Sequence, residues 1–166
     1  MRNIAFDELQ TWCRGNGYAL EDWRPSLPSA TRYLELGIPS EGQALSEFLD
    51  DLVRIDRSDA EYLVWIRDWT IWNERSQEIG LAHLALLVDA AEVASSNQRS
   101  HAYLLTPLEW RETIALLTVP AMYGWDAHLF FQSGAALVDL SHEGRITVAT
   151  RTADLKGLDA WAKTQP

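Results

Sequence analysis

The alternation of helical and strand patterns along the chain predicts an α/β (α+β) fold: a single mixed β-sheet of about five to seven strands, helices packed on it, and a C-terminal antiparallel hairpin. Three observations lead there. The run Glu61–Asp68 is apolar on both of its alternating faces, as in a central strand covered on both sides. Stretches with apolar residues at helical spacing lie before and after it. The runs Ala135–Leu140 and Ile146–Thr150 are joined by five residues. Opposing Leu140 to Ile146 and Val138 to Val148 puts apolar partners on one face, which fixes a register.

Asn3 to Arg14 reads as a short helix with Phe6, Leu9 and Trp12 or Cys13 on one side, closed by Gly15-Asn16-Gly17. Residues 18 to 30 carry several turn-forming residues and read as strand plus loop. Thr31–Ile38 alternates as a strand and stops at Pro39. Ser40–Asp56 is a helix with Leu45, Phe48, Leu49 and Leu52 as its apolar stripe. Ser40 and Gln43 fit a capping box, each side chain satisfying the other's backbone N–H. Ser76–Ala94 is apolar nearly all round, which predicts a mostly buried helix. His101–Leu105 is a short strand. Thr106-Pro107-Leu108-Glu109 opens a helix that Pro120 should end or kink. Trp125–Phe131 follows as a strand and could form a parallel crossover with the strand at His101. Thr152–Ala162 closes the chain as a helix.

The 166 residues suit one domain, residues 1–166. With 24 acidic and 14 basic side chains the net charge is −10, which argues against nucleic acid or an anionic membrane as the ligand and favours a basic protein partner. Cys13 is the only cysteine, so no internal disulfide forms. The absence of a leader and of a long apolar run gives the expectation of a cytoplasmic location.

No cofactor is expected. Gly15-Asn16-Gly17 lacks the strand-before, helix-after setting of a phosphate loop. The four histidines, His83, His101, His128 and His142, have no metal-ligand spacing, so no metal is expected, and His83 reads as a hydrogen-bonded core residue. Ser141-His142-Glu143 reads as a hairpin turn, since triads are assembled from distant segments. No catalytic residue is assigned and the chain is expected not to be an enzyme.

Three features suggest a binding surface. Eight tryptophans occur, three of them within Trp65–Glu74. Trp65 belongs to the strand, whereas Trp69 and Trp72 fall in the connection after it, where an aromatic either covers the sheet end or desolvates a partner. The stretch Glu35–Glu61 holds eight acidic and two basic residues, with Glu47, Asp50 and Asp51 on the polar side of one helix. Asp68 ends the central strand, where open α/β sheets place ligands. Glu47, Asp50, Asp51, Asp68, Trp69 and Trp72 are therefore the candidate contacts. An enzymatic alternative, a small hydrolase or transferase, joins Asp68 to Asp126 and His128, which share a strand face. The simpler use of these carboxylates is to cap backbone groups or to meet an arginine such as Arg67 or Arg111. A third alternative is a structural or regulatory homo-oligomer that buries the Trp69 and Trp72 connection.

The runs Val64-Trp65-Ile66-Arg67-Asp68-Trp69-Thr70-Ile71-Trp72, Tyr123-Gly124-Trp125-Asp126-Ala127 and Leu140-Ser141-His142-Glu143-Gly144 resemble a group of small bacterial proteins in which an Asp-Trp strand end, a Gly-Trp-Asp strand and a Ser-His-acid turn recur. The resemblance spans roughly residues 60 to 150, with Glu143 where an Asp is expected. Proteins of this look resemble toxin-immunity proteins. The resemblance implies a protein that neutralises a basic, cytoplasmically acting toxin domain by covering its active site.

Overall fold

A computed structural model describes residues 1–21, 24–56, 60–68, 74–88, 101–151 and 155–164, with the backbone alone described at 68, 74–77, 156 and 164. Its centre is a seven-stranded sheet in the order β1-β6-β5-β7-β8-β9-β4. The strands are β1 (Arg2–Ile4), β4 (Arg32–Gly37), β5 (Tyr62–Asp68), β6 (His101–Leu105), β7 (Asp126–Phe131), β8 (Ala136–Ser141) and β9 (Arg145–Thr150). A separate hairpin pairs β2 (Ala19–Glu21) with β3 (Arg24–Ser26). The α+β class, the strand number and the C-terminal hairpin agree with the sequence. So does the hairpin register, with Val138 opposite Val148 and Leu140 opposite Ile146.

The parallel crossover does not form. β6 and β7 flank β5 on opposite sides, each antiparallel to it, so every neighbouring pair in the sheet is antiparallel. β5 takes the middle place because both of its faces are apolar. Leu63 and Trp65 face one way, Val64 and Ile66 the other, and all four are fully buried.

Alternation along each strand builds two cores. One face of the sheet carries Val64, Ile66, Leu129, Val138 and Val148 against helices α2 (Gly42–Val53), α3 (Glu74–Leu87), α4 (Trp110–Tyr123) and α5 (Lys156–Thr164). The other carries Leu63, Trp65, Phe130 and Leu137 against α1 (Phe6–Gly15), Tyr18 and Leu27. Tyr18 anchors this thinner layer. Its buried hydroxyl lies 2.7 Å from the carbonyls of Phe131 and Ala136 and accepts the Phe131 N–H at 2.9 Å.

Several local expectations shift. The first helix starts at Phe6, because Arg2–Ile4 is taken up as an edge strand on β6. The Ser40–Gln43 capping box is not made: Glu41 holds the N-cap position, and Gln43 donates to Glu47 at 2.9 Å. The Thr106 box is made, Glu109 accepting the Thr106 N–H at 2.8 Å and its hydroxyl at 3.0 Å. A short 3-10 turn, Pro107–Glu109, then leads into α4. Pro120 sits inside the last turn of α4, and the helix ends instead at Gly124, whose φ of 64° is left-handed.

The largest difference concerns α3. Gly80 and Leu84 pack inward, and a Cβ at Gly80 would stand 2.4 Å from the Trp125 ring. The opposite side is open, with Ile79 44%, Leu86 82% and Leu87 38% exposed. Apolar periodicity all round signalled burial, but one helix lying on a sheet has only one side to bury. His83 is likewise exposed, its Nδ1 2.7 Å from the Tyr123 hydroxyl. None of the described helices is long and apolar enough to cross a membrane.

Candidate functional site

Pairing of β7 with both β5 and β8 gathers charged groups at one end of the sheet. Asp68 stands opposite Asp126 in the backbone register, with a bulge between Ile66 and Asp68. β5 and β7 are thus neighbours, the arrangement that the enzymatic alternative requires. On the other side Ala127 pairs with Leu140, which carries the β8–β9 turn past Asp126.

Asp126 has three close partners there. Its Oδ1 accepts the backbone N–H of His142 at 2.8 Å and lies 2.8 Å from His142 Nδ1. Its Oδ2 accepts Arg67 Nη2, also at 2.8 Å. Burial, the strongest single influence, pushes the Asp126 carboxyl upward, but the His142 N–H, the His142 ring and the Arg67 guanidinium together outweigh it, and the group lies below its ordinary value. An ionised carboxylate only accepts, so Nδ1 of His142 carries the proton and neutral His142 keeps its lone pair on Nε2. The His142 side chain is 36% exposed. Arg67 was foreseen as a possible carboxylate partner; His142 was not.

His128 does not join this group. Its ring lies 5.2 Å from that of Trp65, and its Nδ1 is 3.2 Å from Asp139 Oδ1 on β8. That contact lacks hydrogen-bond angles, and among the described residues neither His128 nitrogen has a hydrogen-bond partner. The triad of Asp68, Asp126 and His128 is thus replaced by Asp126, His142 and Arg67. The clue in the sequence was the four-residue link, 132–135, between β7 and β8. It makes a second hairpin and brings the Ser141-His142 turn back beside Asp126.

The acidic residues of α2 separate into different roles. Glu47 is exposed. Asp50 is engaged with Arg54 at 2.7 Å, and Arg54 also lies over the Trp110 ring. Asp51, expected on the polar side, faces α5: it accepts Trp161 Nε1 at 3.1 Å and abuts Gly157, where a Cβ would come within 2.8 Å of its carboxyl carbon. Trp69 and Trp72 lie outside the described residues. Among the described residues no group of three or more His, Cys, Asp or Glu is placed to hold a metal ion.

Comparison of the chain with protein-family models, with curated proteins and with solved structures finds no match.

Proposed function

We propose that the protein is a protein-binding module of immunity type, which neutralises a basic toxin domain acting in the cytoplasm by covering its active site. The observation that carries this is the disposal of the positive charge. Arg2, Arg32, Arg54, Arg67 and Arg145 are each paired with carboxylates of the same chain. Glu41, Glu47, Glu78 and Glu112 stand exposed. With these five arginines paired at home, a chain of net charge −10 presents excess carboxylates outward. Such a surface steers a basic partner and repels an acidic one. Glu47 is the contact on α2 that stays available, whereas Asp50 and Asp51 hold their own fold together.

The test is capture of partners from the source cells, followed by titration of the purified pair across salt concentration. A basic partner whose affinity falls with salt, and falls further with Glu47→Lys, supports the proposal. An acidic partner, or an affinity indifferent to both, overturns it.

Asp126 and His142 favour a second reading, a small hydrolase or transferase. An ionised carboxylate on Nδ1 orients the imidazole and leaves Nε2 free to take a proton. Such an activity would fall in Asp126→Asn and vanish in His142→Ala. An activity intact in that variant would remove the dyad from the chemistry.

A further inference from the structure

The two edges of the sheet differ as templates for a further strand. β1 is three residues long, whereas β4 runs from Arg32 to Gly37 in unbroken register with β9. No proline, lysine or bulge interrupts β4, although edge strands are commonly guarded in those ways.

Hydrogen bonds on either side of β9 show which backbone groups of β4 are already used. The Arg151 N–H donates to the Ala135 carbonyl at 2.9 Å, so the odd-numbered residues of β9 serve β8 and the even-numbered ones serve β4. The Ile38 N–H, donating to the Gly144 carbonyl at 2.9 Å, keeps the same phase. Leu34 and Leu36 therefore spend their N–H and C=O groups on Val148 and Ile146. Tyr33 and Glu35 point theirs away from the sheet, and among the described residues nothing takes them up. Helix α5 meets β4 through Arg32 and Asp159, on the opposite face from the Tyr33 and Glu35 side chains.

Side chains at this edge add a charge preference. Tyr33 and Glu35 both stand on the α1 face of the sheet and are exposed. Glu35 shares a cross-strand row with Thr147 and Asp139. Arg145 reaches Glu35 at 3.2 Å and also contacts Glu143, so one guanidinium stands against the carboxylates of Glu35, Asp139 and Glu143.

We propose that β4 takes an extended, basic segment of the partner as an added antiparallel strand. The free N–H and C=O groups of Tyr33 and Glu35 select an extended backbone, which presents its own donors and acceptors at the matching spacing. The surplus carboxylates select lysine or arginine at the position opposite Glu35. A second copy of the chain does not fit, because it brings another Glu35 and another net charge of −10 to the same edge. This mode of attachment rests on the basic-partner reading and extends it from charge to backbone pairing.

The probe is a blocked peptide of alternating lysine and valine, about seven residues long and so able to span β4. Its lysines are set to fall opposite Tyr33 and Glu35, its valines beside Leu34 and Leu36. Amide hydrogen exchange of the full chain is followed by NMR. Without peptide, Tyr33 and Glu35 are expected to exchange faster than Leu34 and Leu36. With peptide at about ten times its dissociation constant, the Tyr33 and Glu35 amides should slow about 10-fold. The same peptide N-methylated at its lysines keeps its charge but loses the N–H groups that meet β4, and should bind at least about 10-fold more weakly. Glu35→Lys, at an exposed site, should weaken the unmethylated peptide about 5-fold. A peptide with glutamate in place of lysine should not bind. An edge already protected without peptide, no added protection at Tyr33 and Glu35, equal binding of the methylated or the glutamate peptide, or indifference to Glu35→Lys would overturn the proposal. None of these outcomes touches the basic-partner reading, which stands or falls on the charge and salt dependence of the partner captured from cells.

Discussion

Asp126 Oδ1 meets His142 twice, at the ring Nδ1 and at the backbone N–H, both at 2.8 Å. One carboxylate thereby ties the β8–β9 turn to the start of β7. The Asp126 carboxyl titrates below its ordinary value. A lowered folded value means that the stabilisation is fully present above the unfolded value of about 3.9 and is lost as pH falls through the folded one. Urea unfolding from pH 7 down to pH 2 should show that loss below about pH 4 in the wild type. Asp126→Asn should cost about 1–3 kcal/mol at pH 7 and flatten that part of the profile. An unchanged profile in the variant would mean that the tie contributes nothing.

Gly80 is the point where α3 touches Trp125. Alanine favours a helix by about 1 kcal/mol over glycine, but its Cβ would lie 2.4 and 2.7 Å from two atoms of an indole that is 1% exposed. The clash outweighs the propensity, and Gly80→Ala should destabilise by about 1–3 kcal/mol. Thermal melts decide the sign. A rise in Tm would show that Trp125 has room to move.

Tyr18→Phe should cost about 1–3 kcal/mol, since it leaves the Phe131 N–H and two carbonyls buried without the hydroxyl. Hydrogen exchange at Phe131 is the direct reading, and it should speed up in the variant more than exchange elsewhere in β7.

Asp51→Lys should lower stability as well as any partner affinity, because Asp51 receives the Trp161 indole and supports α5. Trp161 fluorescence should shift to the red. Glu47→Lys should leave both stability and fluorescence unchanged. If the two variants behave alike, the division of roles along α2 is wrong.

Burial pushes the Cys13 thiol up to about 12. A thiol reagent at pH 8 should therefore leave the folded protein unmodified and label one site in urea. Rapid labelling of the folded protein would contradict the packing of α1.

Short-range signals were the legible part of the fold. The β8–β9 register, the Thr106–Glu109 turn and the two-faced apolar β5 follow from residues close together in sequence. The placement of β5 between β6 and β7 was not legible. Either strand could have paired with the other by apolar matching, and the choice rests on contacts across the whole sheet. The candidate site divides in the same way. Asp126 is legible as a candidate and Arg67 as a carboxylate partner, but the pairing of β7 with β5 that brings Asp68 opposite Asp126 is not. His142 is not legible, because Ser141-His142-Glu143 reads as a plain hairpin turn and the β7–β8 link that returns it to Asp126 is only four residues with little pattern. For α3, composition shows which side chains are apolar and not how many sides of a helix the rest of the chain covers.

β1 and β4 form the two outer rails of the sheet, and both come from the first forty residues. Their partners, β6 and β9, are made roughly a hundred residues later, so these pairings close long loops and form slowly. A chain emerging from the ribosome therefore holds β1 unpaired until about two thirds of it has been made, and β4 until nearly all of it has. During that interval the strands are open to pairing with other nascent chains. Yield during expression should accordingly depend more on synthesis rate and temperature than on the equilibrium stability of the finished protein.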